Sequence, residues 1–214
     1  DGGRSPHPAA RHGVELAVAD AEARAAEESL AAFLSDGTPD DTVPVNATVG
    51  DGAVDATVEA TREAVEGGFS AVKVKVGARD PDVDAARLRA VREAVGDVVE
   101  LRADANGAWD RPTARRALSA LARLDLAYVE QPLSAPDLAG HAELRGEGAR
   151  VALDESLAST SVDAVLAAGA ADVLVLKPMA LGGPGPARRA ALRARTVGVD
   201  PVVTTTIDGS IARA

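Results

Sequence analysis

Short apolar runs rich in β-branched residues alternate with amphipathic segments rich in Ala, Arg and Glu along most of the chain. The apolar runs have the length of strands, whereas the segments between them place apolar residues at helical spacing. The predicted strands are 43–49, 71–77, 98–106, 127–133, 150–156, 172–178 and 200–207. The predicted helices are 53–67, 81–95, 111–124, 136–145, 160–168 and 184–196, and residues 8–34 predict one long helix before the first strand.

This alternation of strands and helices predicts an α/β fold made of parallel βαβ units. Seven strands without a Gly-rich phosphate turn after the first favour a (β/α)8 TIM barrel over a doubly wound sheet. Because only seven strands are counted, we expect the last βα unit to lie outside this sequence. The barrel would occupy residues 43–214. The first residue is not Met, so residues 1–42 are expected to continue from a preceding part of a longer chain.

Composition narrows the classes of function. The absence of Cys excludes disulfides, zinc–thiolate sites and thiol nucleophiles. A formal charge of −10 argues against nucleic acid and anionic membranes as partners, and no apolar stretch is long enough to span a bilayer. No secretory signal pattern is present, so a cytoplasmic protein is expected. The excess of acidic residues and of Arg over Lys favours adaptation to a salty cytoplasm over codon bias.

Only three of the 23 basic residues are lysines, namely Lys73, Lys75 and Lys177. In the predicted strand AVKVKVG the valines face the helices, so Lys73 and Lys75 both point into the barrel. Unneutralised ammonium groups in a core would be very costly. The sequence therefore predicts acidic partners for these lysines.

Three acids lie where successive predicted strands end, and these are Asp104, Glu130 and Asp154. Strand ends form the active-site face of a β/α barrel. Each acid alone is better explained as a helix N-cap or a loop carboxylate, but three acids converging from successive strands require a counter-ion. Oxygen ligands without a suitably placed His or Cys indicate Mg²⁺, with Mn²⁺ possible. Arg102 and Asn106 share the strand face of Asp104 by the period of two.

Lys177 ends the sixth predicted strand, across from the other two lysines. A metal ion between lysines suits abstraction of a proton α to a carboxylate, because the negative charge that develops needs electrostatic stabilisation. The motifs KVKVG, RADANGAW, VEQP, LDES and LKPMALGG resemble, in order, the barrel motifs of the enolase superfamily in its muconate-lactonizing-enzyme-like subgroup. The resemblance covers residues 8–214.

The resemblance implies roles for the site residues and for the N-terminal segment. The implied metal ligands are Asp104, Glu130 and Asp154. Lys75 would be the principal base, Lys73 its electrostatic neighbour and Lys177 the group on the opposite face of the substrate. Residues 1–42 would be the remnant of a capping domain together with its linking helix.

Within the subgroup, the segments LRADANGAW and VVTTTIDGSIAR are most similar to the o-succinylbenzoate synthases of menaquinone biosynthesis. This implies a Mg²⁺-dependent dehydratase, a lyase acting on a small-molecule carboxylate. The implied substrate contacts are Arg102, Asn106, Thr205, Thr206 and Ser210. For the three hydroxyl residues, strand propensity and N-capping are equally good explanations.

Three alternatives remain open. A dipeptide epimerase or N-acylamino-acid racemase of the same superfamily would use Lys75 and Lys177 as bases on opposite faces. A catalytically inactive barrel would have only a binding role, and a phosphate-binding metabolic barrel is disfavoured because no Gly-rich anion loop follows the seventh strand. A homo-oligomer is possible. The histidines, His7, His12 and His141, are expected on the surface.

Overall fold

The computed structural model describes residues 7–35 and 38–206. Every predicted strand is present but shorter than predicted. The strands are β1 (Asn46–Val49), β2 (Ala71–Lys75), β3 (Glu100–Asp104), β4 (Leu126–Glu130), β5 (Val151–Leu153), β6 (Val173–Leu176) and β7 (Asp200–Val203). The helices are α1 (Pro8–Ala25), α2 (Leu30–Leu34), α3 (Val54–Glu66), α4 (Pro81–Val95), α5 (Arg111–Leu121), α6 (Leu138–Leu144), α7 (Glu155–Ser159), α8 (Val162–Ala167), α9 (Pro178–Leu181) and α10 (Pro184–Arg195).

Strands β1 to β5 lie in the sheet in the same order as in the chain. Strands β1 to β5 pair in parallel, with a helix between each strand and the next. This is the predicted α/β arrangement of successive βα units. Within β2, Val72 and Val74 are fully buried while Lys73 and Lys75 are partly exposed, so the period of two separates the two faces as expected.

The chain divides into two compact units. Residues 44–173 form one unit, which contains β1 to β5 and α3 to α8. Among the described residues, 7–35, 38–43 and 174–206 belong to the other, which contains α1, α2, α9, α10 and β7. Among the helices that the structure describes, none has the length and apolar character needed to cross a bilayer.

The prediction of one long helix over residues 8–34 is wrong. The first helix ends at Ala25, and Glu27 adopts a left-handed conformation with φ +57°. Ser29 then caps α2, because its side chain accepts a hydrogen bond from the Ala32 N–H at 3.1 Å. Two short helices, α7 and α9, were also missed, because the predicted strands 150–156 and 172–178 end earlier than their apolar pattern indicated.

A buried ion network holds the end of β2. Arg87 of α4 is almost fully buried, and its Nη1 lies 2.6 Å from Asp84 Oδ1 and 2.7 Å from Asp51 Oδ1. The Arg87 guanidinium also donates to the Lys75 carbonyl, and Asp84 Oδ2 accepts from the Gly77 N–H at 2.7 Å. The backbone on both sides of the β2 terminus is therefore fixed from α4, which positions the Lys75 side chain.

We expect Arg87→Met to lower the free energy of unfolding by about 3–5 kcal/mol, because it leaves buried carboxylate and carbonyl groups without their partner. Urea denaturation followed by circular dichroism measures the change. Arg116→Met is the matched control, since Arg116 makes an exposed pair with Asp80. Equal effects of the two substitutions would contradict this role of the network.

Candidate active site

The register of the sheet places two of the three predicted acids side by side. Asp104 at the end of β3 pairs with Glu130 at the end of β4, and both are buried. Glu130 pairs in turn with Ala152 of β5. Asp154 lies two residues beyond Ala152, directly after β5, and it is also buried; its charge acts on Glu130.

Lys73 and Lys75 bind these carboxylates directly. Lys73 Nζ lies 2.8 Å from Glu130 Oε2 and 3.0 Å from Asp104 Oδ2. Lys75 Nζ lies 2.7 Å from Asp104 Oδ2 and 2.6 Å from Asn106 Oδ1. A single oxygen of Asp104 therefore accepts from both lysines. The side chain of Lys73 is 18% exposed and that of Lys75 is 33% exposed, so Lys75 is the more accessible amine.

The charges of this cluster shift the pKa values of its members. Burial raises the pKa of Glu130 to about 7; the Lys73 charge opposes this, and the Asp104 and Asp154 charges reinforce it. Burial would raise the pKa of Asp104, but the charge of Lys73 and hydrogen bonds from both lysines outweigh it and lower that pKa. Burial would lower the pKa of Lys73, but Glu130 and Asp104 raise it above the ordinary lysine value.

Among the residues that the structure describes, only one of the two carboxylate oxygens of Glu130 has a positively charged partner. Its Oε1 atom is buried without a hydrogen-bond partner in the described part of the chain, while its Oε2 atom binds Lys73. A buried carboxylate with an unsatisfied oxygen, close to two further carboxylates, is suited to a cation with oxygen ligands. The residues present therefore fit a hard divalent ion.

The side chains are not arranged as a metal centre in this structure. Among the described residues, no group of three or more His, Asp or Glu side chains is placed so that it could hold a metal ion. The lysine ammonium groups lie on Asp104 Oδ2 and Glu130 Oε2, whereas Glu130 Oε1 has no such partner among the described residues. The triad of Asp104, Glu130 and Asp154 thus stays a prediction.

Arg102 and Asn106 have defined partners beside this cluster. Arg102, aligned with Lys73 in the sheet register, donates to Glu100 Oε1 at 2.6 Å and to Asn46 Oδ1 at 3.0 Å. Its guanidinium carbon lies 5.2 Å from the centre of the Tyr128 ring. Asn106, at φ +47°, donates through Nδ2 to Glu155 Oε1 at 2.9 Å while accepting from Lys75. The substrate contacts predicted for both residues stay predictions.

The remaining predicted residues belong to the other compact unit or lie outside the described residues. Lys177 directly follows β6 and precedes the first turn of α9. Thr205 and Thr206 follow β7, and the Thr206 hydroxyl lies 3.1 Å from the sulfur of Met179. Ser210 lies outside the described residues.

A buried amide next to Glu130 was missed by the sequence reasoning. Gln131 is fully buried, has φ +42°, and its amide binds the turn that follows β5. The signal in the sequence was its place directly after Glu130 in the motif VEQP. Its partners Asp154 and Ser156 lie far along the chain, so spacing alone does not reveal them.

The surface assignment of two histidines is wrong. His141 and His12 are both buried, whereas His7 is exposed as predicted. The backbone fixes the tautomer of His141: Nδ1 lies 2.8 Å from the Asp137 carbonyl and must donate, while Nε2 accepts from the Leu133 N–H at 3.2 Å. Burial lowers the pKa of His141, which favours this neutral form. Its position on the Leu-bearing face of α6 was the available signal.

Comparison with known proteins shows the family. The family model described as "Enolase C-terminal domain-like" matches residues 55–214, which is most of the chain. The chain therefore belongs to this family of the enolase superfamily. This confirms the superfamily and subgroup that the motifs predicted, and with them the TIM-barrel class of fold.

Relatives within the family have several activities. The chain is 41% identical over 178 residues to the o-succinylbenzoate synthase of Thermobifida fusca (strain YX), covering 81% of this chain and 54% of that protein. It is 39% identical over 192 residues to the N-succinylamino acid racemase of an Amycolatopsis species, and this match covers 86% of this chain and 49% of that protein. The chain thus spans about half the length of the curated relatives it matches.

A solved relative has the same fold. The dipeptide epimerase from Enterococcus faecalis V583, in a complex with Mg and the dipeptide L-Leu-L-Tyr, superposes with a TM-score of 0.88 at 30% identity. The match covers 96% of this chain and 58% of that one.

We expect Lys73→Met to lower the free energy of unfolding by about 3–5 kcal/mol, because it leaves two buried carboxylates without their shared cation. Lys75→Met is the matched variant and should lower the free energy of unfolding by less, because Asp104 keeps its contact with Lys73 and because Lys75 is more exposed. Urea denaturation in the presence of a chelator measures both changes. A larger effect of Lys75→Met would contradict the charge balance described here.

Proposed function

We propose that this chain forms the barrel part of a Mg²⁺-dependent enzyme that removes the proton α to a carboxylate in a small-molecule substrate. The observation that carries the proposal is the buried cluster of Lys73, Lys75, Asp104 and Glu130, in which one Glu130 oxygen is unsatisfied. Such a cluster combines amines that can move a proton with carboxylates that need a further cation.

The proposed ligands of the ion are Asp104, Glu130 and Asp154, all oxygen donors that suit Mg²⁺ or Mn²⁺. When bound, the ion would supply the positive charge that stabilises negative charge developing on the substrate carboxylate. The burial of all three side chains supports this assignment, because a water-poor site strengthens such electrostatic effects.

Lys75 is proposed to move the proton. It is the more exposed of the two amines, and Asn106 Oδ1 holds its Nζ at 2.6 Å independently of Asp104. Lys73 lies deeper, between Asp104 and Glu130, and is proposed to supply a fixed positive charge. By the resemblance, Lys177 is the lysine on the opposite face of the substrate.

The particular reaction we infer is the dehydration performed by o-succinylbenzoate synthases, which would place the protein in menaquinone biosynthesis. After Lys75 takes the α-proton, its ammonium returns a proton to the departing hydroxyl on the same face, and the ring becomes aromatic. The similarity to the Thermobifida fusca enzyme supports this choice. Arg102, Asn106, Thr205, Thr206 and Ser210 are the proposed substrate contacts.

A second candidate is a racemase or epimerase of an acylated amino acid or dipeptide. The Amycolatopsis racemase and the Enterococcus dipeptide epimerase support it to a similar degree. In that reaction Lys177 would return the proton from the face opposite Lys75. A catalytically inactive binding protein is disfavoured, because a chain with three lysines keeps two of them on the buried acids.

We expect Lys75→Ala to abolish turnover in the full-length protein while Mg²⁺ binding survives, because the base is lost but the carboxylates remain. Turnover is measured by loss of substrate absorbance with the o-succinylbenzoate precursor and Mg²⁺, and binding by calorimetry. Arg116→Ala, an exposed residue away from this cluster, is the control. Near wild-type turnover of Lys75→Ala would exclude Lys75 as the base.

The same protein can be tested for the second candidate in deuterated water. Deuterium incorporation with inversion at the α-carbon of an N-succinylamino acid or dipeptide, without dehydration of the precursor, would replace the dehydratase by the racemase. If the protein binds Mg²⁺ but catalyses neither the dehydration nor the inversion, both candidate functions are contradicted.

A further inference from the structure

Asp154 occupies the N-cap position of α7 but does not cap it. An Asp at an N-cap ordinarily accepts a hydrogen bond from a backbone N–H of the first helical turn through its own carboxylate. The Asp154 side chain makes no such bond. By contrast, Asp80, Asp110 and Asp137 each cap the helix that they precede in the usual way.

The cap of α7 comes instead from Gln131, the residue that directly follows β4. Gln131 Oε1 accepts from the backbone N–H of Asp154 and from that of Ser156, both at 3.1 Å. Its Nε2 donates to the Leu133 carbonyl at 3.0 Å and to the Ser156 hydroxyl oxygen at 2.8 Å. The backbone partners fix the amide orientation, since N–H groups only donate and a carbonyl only accepts.

Further buried contacts hold Gln131 in this position. The Leu133 N–H donates to His141 Nε2, and the Ser156 hydroxyl donates to the Ala135 carbonyl at 2.8 Å. Gln131 itself is fully buried, so its amide has no access to water as an alternative partner. An amide that is both fully satisfied and locked is able to set the geometry of the groups it binds.

We propose that Gln131 is a positioning residue that replaces Asp154 as the cap of α7, so that the Asp154 carboxylate can turn to the divalent cation. The inference rests on the proposed function, in which Asp154 is a ligand. Without Gln131, the Ser156 N–H needs another acceptor, and the ordinary N-cap acceptor at this position is the carboxylate of Asp154 itself. The carboxylate would then be drawn into the cap and away from the ion.

We expect Gln131→Met to weaken Mg²⁺ binding about tenfold or more, the size of effect typical for residues that orient metal ligands. Calorimetric titration of the folded full-length protein measures the affinity independently of turnover. The effect should also be non-additive with Asp154→Asn: in the double variant the second substitution should change the affinity little, because both act through the same carboxylate.

Two further variants separate positioning from general stability. Thr61→Val removes a buried hydroxyl bonded to the Thr57 carbonyl in α3, and it should leave Mg²⁺ affinity unchanged. Gln131→Glu keeps an oxygen acceptor for both N–H groups and should bind Mg²⁺ more tightly than Gln131→Met. If Gln131→Met does not fold, Gln131→Asn, whose oxygen is withdrawn by one carbon–carbon bond, takes its place with the same expected loss.

The outcomes distinguish this inference from the proposed function. If Asp154→Asn weakens Mg²⁺ binding and Gln131→Met does not, or if their effects add, the positioning role is overturned and the ligand set stands. If Asp154→Asn leaves Mg²⁺ binding unchanged, the assignment of Asp154 as a ligand fails, and the positioning role fails with it.

Discussion

The balance of charge around Asp104 and Glu130 is the constraint on which the rest of the site depends. Two adjacent buried carboxylates are tolerated only if positive charge is close, because isolated charges are very costly to bury. Lys73 supplies that charge to both acids, and Lys75 supplies more to Asp104. The balance is incomplete at Glu130, whose second oxygen is unsatisfied and whose pKa is raised to about 7. This remaining deficit is what a divalent cation would remove.

The surrounding structure holds these groups by backbone contacts made from other elements. Arg87 of α4 binds the carbonyl of Lys75, so Lys75 is positioned at its main chain. Gln131, which directly follows β4, binds the N–H of Asp154. In both cases a buried polar side chain fixes the backbone of a residue in the candidate site. The side chain of that residue then contacts other groups in the site.

The sequence predicted the features that depend on local pattern. Alternation in β2 placed Lys73 and Lys75 on one face, and the ends of the apolar runs located Asp104 and Glu130. Features that depend on distant partners were not predictable in this way. The fold brings together the residues that bury His141 and those that let Gln131 cap α7. The helix break at Glu27 is a left-handed backbone conformation, which the spacing of apolar residues does not show.

The central claim is that the buried carboxylates bind a divalent cation, which supplies the positive charge that Glu130 lacks. A crystal structure of the full-length protein with Mn²⁺, located by its anomalous scattering, tests it most directly. We predict one ion held by carboxylate oxygens of Asp104, Glu130 and Asp154. An ion that is absent, or that is bound away from these three carboxylates, would contradict the account.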